Sequence, residues 1–521
     1  MSVFSFAAQP NRQNQNILRI VGWLLAALLA YEAAQYILTE NYTDAVYAAM
    51  AVVGFAIAVT VLKDWRKGIY PFLGWLLFED LVRKYMGNNM LIYFAKDALA
   101  LILFLSFFVA FRKKQVRGFR PPFLVALLVF VWLGVAQIFN PNSPHLVFGL
   151  MGFKLYYFYI PLLFVGYGLF DSEIDLRRFF FVNLALADAI AALGVAQSIL
   201  GHTFLNPEVP AEDLRELSTL YRSAPISGLT MYRPTSVFVS DGRFATYMTL
   251  SLILAFGFAG YLLLRTKKGR LFSIVSLAII SVAALLSASR GTIMWCMMSL
   301  IAGSVAFLWG APWKQGEARR VVRIISRTAG FIGVAVVITL ILYPDALLSR
   351  VAFYSETLSP YSSQSELSYR ALDYPFKNFL DVFKYPQWPW GYGIGTCSLG
   401  VQYVARFFKV APPIGGVENG YGTLILEFGI AGLLVWLFLT AAISKACLKV
   451  VRMLKGTPWF PLAFMIFWFV FLLLVPFTYG GMVSYQNFVM NAYLWLLIGI
   501  LLRIPTLPLS VTAPGTASER R

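Results

Sequence analysis

The chain has 521 residues, is 59% hydrophobic and only 13% charged, and has a mean hydropathy of +0.69. That is more apolar surface than a water-soluble fold can bury, so the composition excludes a soluble globular protein and indicates a polytopic membrane protein. The net charge of +18 does not point to nucleic acid, because the basic residues stand in short clusters between apolar segments and no nucleic-acid fold motif is present; membrane topology and anionic lipid account for them better.

In chain order, a polar start over residues 1–16 has no signal-peptide pattern. Apolar runs long enough to cross a bilayer core follow at 17–38, 45–62, 69–85 (short and weak), 91–111, 121–139, 149–170, 179–200, 244–264, 271–286, 292–310, 328–343, 421–443, 459–479 and 486–502. The expected fold is all-α and polytopic, with about twelve to fourteen transmembrane helices and one large extracytoplasmic loop. It divides as a first bundle part over 17–343, the loop over 344–420, a last bundle part over 421–503 and a tail over 504–521 whose Pro, Ser and Thr content reads as unfolded. The basic connections 63–67, 112–120, 265–270, 314–327 and 445–455 fall on one side of a fourteen-span bundle. By the positive-inside rule that side is the cytoplasm, with both termini there.

The loop is far longer than ordinary helix connections and too rich in Tyr, Trp and Phe for a disordered segment, so a folded cap over a membrane site is expected. It contains Trp390-Gly391-Tyr392-Gly393-Ile394-Gly395 and ends in Glu418-Asn419-Gly420-Tyr421. The glycines read either as an anion-cradling turn or as a compact turn. Arg290 lies in Ser287-Ala288-Ser289-Arg290-Gly291, between two strongly apolar runs. A guanidinium there is either an anion clamp or a snorkelling anchor, and the small hydroxyl neighbours, Ser289 among them, leave room for a ligand. Arg233 and Arg243 precede the span at 244, and Arg370 and Arg406 lie in the loop. Several arginines around one cavity suit a diphosphate, whereas Arg370 taken alone pairs equally well with Glu356, Glu366, Asp373 or Asp381. Glu418 reads as a general base at the membrane boundary or as an acid at a helix N-terminus, and Asn419 as a helix cap. Glu79-Asp80 with Arg83-Lys84, and Lys96-Asp97, read as intramembrane ion pairs that hold helices together. Two histidines, and three cysteines without ligand spacing, supply neither a zinc site nor a disulfide framework.

The order of these motifs, from Arg233 through Ser-x-Ser-Arg-Gly and Trp-Gly-x-Gly-x-Gly to Asn419-Gly420-Tyr421 and Glu427-Phe428-Gly429-Ile430-Ala431-Gly432, resembles the O-antigen ligase and O-antigen polymerase superfamily. The resemblance covers mainly residues 233–432, with a looser similarity at 78–83. It implies a membrane-embedded C-type glycosyltransferase of the bacterial inner membrane that needs no metal or other cofactor. Such an enzyme moves a glycan from an undecaprenyl-diphosphate carrier to a glycan or lipid acceptor at the periplasmic face, alongside polysaccharide assembly partners. Carried over by position, Arg290 and Arg370 hold the donor diphosphate, Arg233 or Arg243 assist, and Ser289, Arg406, Asn419 and Tyr421 contact substrate. Glu418 stands where ligases have histidine, which favours polymerase over ligase. A transporter or flippase remains the alternative from another class, although no internal repeat is found, and a protein O-oligosaccharyltransferase is a third reading.

Overall fold

The computed structural model describes residues 42–87, 89–207, 220–266, 268–312, 343–363, 365–367, 369–415 and 417–507, with scattered positions from 326 to 341. The expected segment 1–16, the span 17–38, nearly all of the connection 314–327, most of 328–343 and the tail beyond 507 lie outside the described residues. The helices are α1 (Tyr42–Lys63), α2 (Trp65–Tyr85), α3 (Met90–Arg112), α4 (Leu124–Ile138), α5 (Leu146–Tyr157), α6 (Leu162–Gly168) and α7 (Glu173–Leu200). A two-stranded hairpin follows, β1 (Tyr221–Ser223) and β2 (Thr230–Tyr232), with Tyr221 opposite Tyr232. Then come α8 (Asp241–Arg265), α9 (Arg270–Leu286), α10 (Arg290–Gly310), α11 (Pro344–Leu358), α12 (Tyr374–Asp381), α13 (Val401–Phe408), α14 (Gly420–Met453), α15 (Phe460–Leu472) and α16 (Phe488–Arg503).

Among the described residues, eight helical runs are long and apolar enough to cross a membrane: 91–112, 146–168, 173–200, 241–265, 290–310, 420–453, 460–480 and 488–506. Three shorter apolar helices lie at 52–63, 124–138 and 270–286. The expected span at 69–85 is a helix, but Glu79, Asp80, Arg83 and Lys84 keep it off the apolar set. The expected run at 149–170 corresponds to the run 146–168, which carries a turn over 158–161 where Pro161 offers no N–H to the helical ladder. Helix α10 shows how these helices meet lipid: Met297, Ile301, Val305 and Leu308 recur at helical spacing, all exposed. By contrast, the window of α16 is 94% buried and that of α10 only 33%, so α16 is central and α10 is rim.

The chain divides into two compact units, residues 1–73 with 97–109, and residues 74–96 with 110–521. In the smaller unit, Ser106 donates to the Val61 carbonyl (2.9 Å) and Trp65 meets Phe107 edge-on at 5.0 Å. Within the larger unit, α15 runs antiparallel to both α8 and α10. Tyr261 stacks on Trp459 at 4.6 Å, Trp468 donates to Ser299 (3.0 Å), and Trp295 meets Phe477 at 5.1 Å. The starts of α8 and α10 therefore share one end of the bundle with the end of the 460–480 run. The start of α14 joins them, since Tyr421 donates to the Val475 carbonyl (3.3 Å). That end carries every feature discussed below.

Segment 343–420 supplies α11 to α13 and the glycine turn. The turn is locked to the bundle by backbone contact: Tyr392 N–H donates to the Leu426 carbonyl (2.6 Å) and Ile430 N–H to that of Pro389 (3.1 Å). Gly395, at φ +88°, leaves no room for a Cβ, which would sit 1.9 Å from the Phe148 carbonyl oxygen. Gly395→Ala is therefore expected to cost about 3 kcal/mol or more through left-handed strain plus overpacking. Gly456→Ala, also at positive φ but with open space around it, should cost only about 1 kcal/mol. Thermal unfolding of the two variants in detergent checks this: equal losses would mean that close contact at Gly395 is unimportant.

Candidate functional site

The site begins with the end of α9. The last carbonyls of a helix have no partners within it and must find them elsewhere. Here Ser287 donates from Oγ to Ala284 (2.7 Å), Tyr354 from its hydroxyl to Leu285 (2.9 Å), and Arg350 from Nε to Leu286 (2.9 Å). Two of these donors belong to α11, so segment 343–420 completes the helix end. Three residues on, Ser289 caps α10 by accepting from Thr292 N–H (3.4 Å). Between them Ala288 is fully buried at φ +52°, a conformation disfavoured for a residue with a Cβ. The tight reversal leaves Arg290 as the first residue of α10.

The same Arg350 donates from Nη2 to the Tyr232 carbonyl (2.6 Å), which ties the end of β2 to this turn. The hairpin is further held by Glu356, whose carboxylate accepts from Ile226 N–H (2.7 Å) and Ser227 N–H (3.1 Å). Ala224, Met231, Ala288 and Phe353 form a small shared core. Arg222 on β1 and Arg290 both lie against the Phe353 ring, at 5.6 and 5.3 Å from its centre. Arg233 follows β2 directly, is buried, and pairs with Asp241 at the start of α8. Burial, and then the neighbouring Arg233 and Arg290, push Arg222 down to about 10. Burial is also the main cause that lowers Arg233, and Asp241 opposes it.

Glu366 closes the cluster. Its carboxylate meets Arg290 Nη1 at 2.8 Å and Arg370 Nε at 3.2 Å. Hydrogen bonding from Arg290 comes first among the causes that hold Glu366 below the usual carboxylate range. Arg370 lies over the Tyr374 ring at 5.0 Å, and burial first and then the nearby Glu418 raise the tyrosine. Arg290, Glu366 and Arg370 are thus joined by direct contact, with Tyr374 against Arg370 and Glu418 near Tyr374.

Other candidates lie differently. Arg243 pairs with Asp80 (2.7 Å), which also holds Arg83 (2.9 Å), while Glu79 holds Lys96 (3.0 Å). Lys84 donates to Thr235 Oγ1 (2.8 Å) and the Ser236 carbonyl (2.6 Å), so these charges brace the Arg233 turn from beneath. Asn419 is fully buried: it accepts from Gly422 N–H (2.9 Å) as the cap of α14 and donates to the Pro375 carbonyl (3.0 Å), which fixes α12 beside Glu418. Tyr421 is half-buried on Val475, and Arg406 is on the exposed side of α13. The residues just after the glycine turn hold a carboxyl of the chain's own: Cys397 N–H (2.8 Å) and Ser398 Oγ (2.7 Å) donate to buried Glu427. An apolar cavity of about 20 Å³, deeper in the bundle between Asn183, Tyr247 and Tyr493, is large enough for roughly one water and is remote in character from the arginines.

Sequence reasoning named Arg233, Arg290 and Arg370 but not Arg222, Arg350 or Tyr374, and it carried Glu366 only as one of several partners for Arg370. The strict alternation Tyr221-Arg222-Ser223 before a Pro and Gly turn was the available signal for a hairpin arginine. Chemically, guanidinium groups that converge on one carboxylate form a receptor for an oxyanion of similar shape.

The fold defines a polytopic α-helical membrane protein, with a cluster of arginines around Glu366 and Asp241 at one end of its bundle. No protein-family model, no curated protein and no solved structure matches the chain.

Glu366 competes with any bound anion, so Glu366→Gln should bind inorganic pyrophosphate several-fold more tightly than the unsubstituted chain, and Arg290→Ala should bind it more weakly. Calorimetry in detergent measures both, and unchanged affinity for Glu366→Gln would remove Glu366 from the anion position. Because pairing depresses the folded-state pKa of Glu366, its contribution to stability is present above the ordinary glutamate range and fades as pH falls through the depressed value. The thermal-stability difference between the unsubstituted chain and Glu366→Gln should therefore persist from pH 7 to 5 and vanish in stronger acid.

Proposed function

We propose that this chain is a glycosyltransferase that polymerises a lipid-linked glycan at the periplasmic face of a bacterial inner membrane, with an undecaprenyl-diphosphate-linked repeat unit as donor. The observation that carries the reading is the shared carboxylate: Arg290 and Arg370 grip Glu366 at 2.8 and 3.2 Å, the geometry in which two guanidiniums take a phosphate oxygen pair. The resemblance of the motif order supplies the substrate class.

In this scheme the donor diphosphate displaces Glu366 and lies between Arg290 and Arg370, with buried Arg233 and half-buried Arg222 behind them adding positive potential. Glu418 accepts the proton of an acceptor hydroxyl. The acceptor oxygen then bonds to the anomeric carbon as the bond to the diphosphate oxygen breaks. The arginines stabilise the charge that develops on the departing lipid diphosphate, where fixed, partly buried donors act more strongly than in water. Tyr374 keeps Glu418 in line with Arg370, and Asn419 positions the start of α14 without meeting substrate itself.

Cells lacking the chain and carrying Arg290→Ala or Glu418→Gln at matched membrane levels test this. Long polymer should fall by about 10²-fold or more, the usual cost of losing one stabilising or proton-accepting group, while lipid-linked repeat units accumulate. Normal polymer in both variants would sink the enzyme reading and favour a transporter or flippase.

A further inference from the structure

The segment that carries Tyr374 leaves an apolar stripe that the described residues cover along one edge only, where Phe379 packs inward and Phe383 meets Trp388 at 5.0 Å. Phe376, Phe379, Leu380 and Phe383 fall at the i, i+3, i+4, i+7 positions of α12 and the short 3-10 turn Val382–Lys384 that follows. Phe376 is 56% exposed, and Leu380 and Phe383 are exposed with it. The opposite side is fixed: Pro375 and Val382 are buried, and Val382 joins Ile414, Ile425 and Leu426 in a compact core against which Phe379, Trp388 and Leu433 pack. Lys377 and Lys384 are exposed along the edge beyond the stripe, and Lys384 pairs with Asp381 (2.5 Å). The apolar side is thus neither core nor solvent-compatible surface.

Its neighbours say what covers it. Trp390, 75% exposed, is set against α14 by the bond from Ile430 N–H to Pro389, and from Ile430 onward α14 shows the exposed pattern Ile430, Leu434, Leu437, Phe438 of a lipid-facing helix. Before that point α14 is buried nearly all round, from Gly422 to Gly429. An exposed tryptophan at the level where a helix first turns apolar side chains outward marks a bilayer boundary. A short amphipathic helix with an apolar side and a lysine edge beside that boundary has the make-up of an interfacial helix.

We propose that Leu372–Trp390 is a membrane-surface anchor, with Phe376, Leu380, Phe383 and Trp390 seated among lipid headgroups and Lys377 facing the phosphates of anionic phospholipid. The anchor holds α12 at headgroup depth. It follows, resting on the function proposed above, that a lipid-borne diphosphate reaches Arg370 and Arg290 sideways along the bilayer surface.

Spin labels on the full chain in nanodiscs test the anchor, at Phe376→Cys, Leu380→Cys, Phe383→Cys and Lys377→Cys, with labelling of the unsubstituted chain as background. All four positions are exposed, so folding should be preserved. Labels at 376, 380 and 383 should collide preferentially with oxygen, and the label at 377 with a water-soluble nickel chelate. Adding anionic lipid should deepen the label at 376, and Lys377→Gln should abolish that shift. Preferential nickel contact at all four positions would overturn the proposal in favour of a water-facing surface. Exclusion of both reagents at 376 and 380 would overturn it in favour of a second copy of the chain covering the stripe. A depth that ignores lipid charge in the unsubstituted background would overturn the phosphate contact. These readouts need no glycan chemistry: labels at lipid depth with unaffected polymer in Arg290→Ala would break the proposed function and leave the anchor standing.

Discussion

The site depends on one buried guanidinium. Arg350 is 1% exposed and donates to the carbonyls of Leu286 and Tyr232, residues 64 and 118 positions away in the chain. Taking such a group out of water is costly unless hydrogen bonds replace the lost hydration. The Leu286 carbonyl is a favourable partner, because the end of a helix carries partial negative charge and unpaired acceptors. One side chain therefore satisfies the end of α9, fastens the hairpin, and sets the distance between the turns that carry Arg233 and Arg290. With Arg350 gone, the Leu286 and Tyr232 carbonyls would lose a partner and those turns would be joined mainly by the small core of Ala224, Met231, Ala288 and Phe353.

What Arg350 assembles is electrostatically uncomfortable. Burial and then Arg233 and Arg290 lower Arg222, burial chiefly lowers Arg233, and Arg290 sits at the first position of α10, where the helix end is itself partially positive. Asp241 relieves Arg233, and Glu366 relieves Arg290 and Arg370 together. The two acids differ in a way that matters. Asp241 is buried within a helix start and capped in place, whereas Glu366 is 38% exposed and lies on a stretch outside regular structure. An incoming oxyanion with more charge than a carboxylate can take the place of Glu366 with little disturbance, but not that of Asp241. Concentrated, partly desolvated positive charge with a removable counter-ion is what an anion site requires, and it is an arrangement a purely structural ion pair has no need of.

Legibility in the sequence followed the range of the interaction. Apolar runs and their ends are local, so most helices were readable, as was the turn before Arg290 from its hydroxyl residues. Pro161 left a turn inside an expected span because proline cannot donate to the helical ladder, yet the run 146–168 is still long and apolar enough to cross a membrane. Arg350, Glu427 and Tyr374 were missed because their meaning lies in partners far along the chain. Nothing in Leu348-Ser349-Arg350-Val351 announces a helix cap for Leu286. The glycine turn was read as a shape with two uses, and only the fold shows that the Gly391 and Tyr392 N–H groups are already given to the Gln387 and Leu426 carbonyls. Glu366 stood among four acids offered as partners for Arg370, and it is the one that also meets Arg290, a residue from another part of the bundle.

Helix α14 joins the two halves of this account. Its 34 residues extend about 51 Å at 1.5 Å each, well beyond the roughly 30 Å of a bilayer core. The excess is not waste. Gly429, at φ +74° where the helix is kinked, separates a protein-buried start from a lipid-facing remainder. The buried start carries Asn419 as its cap, sits one residue past Glu418, and holds Glu427 inside the glycine turn. The loop brings Cys397 N–H and Ser398 Oγ to one oxygen of buried Glu427, and it can approach so closely only where glycine replaces a side chain on both sides of the contact, at Gly391 and Gly429. The kink thus lets one helix serve both as a membrane span and as the wall that sets the height of Glu418 relative to the arginines.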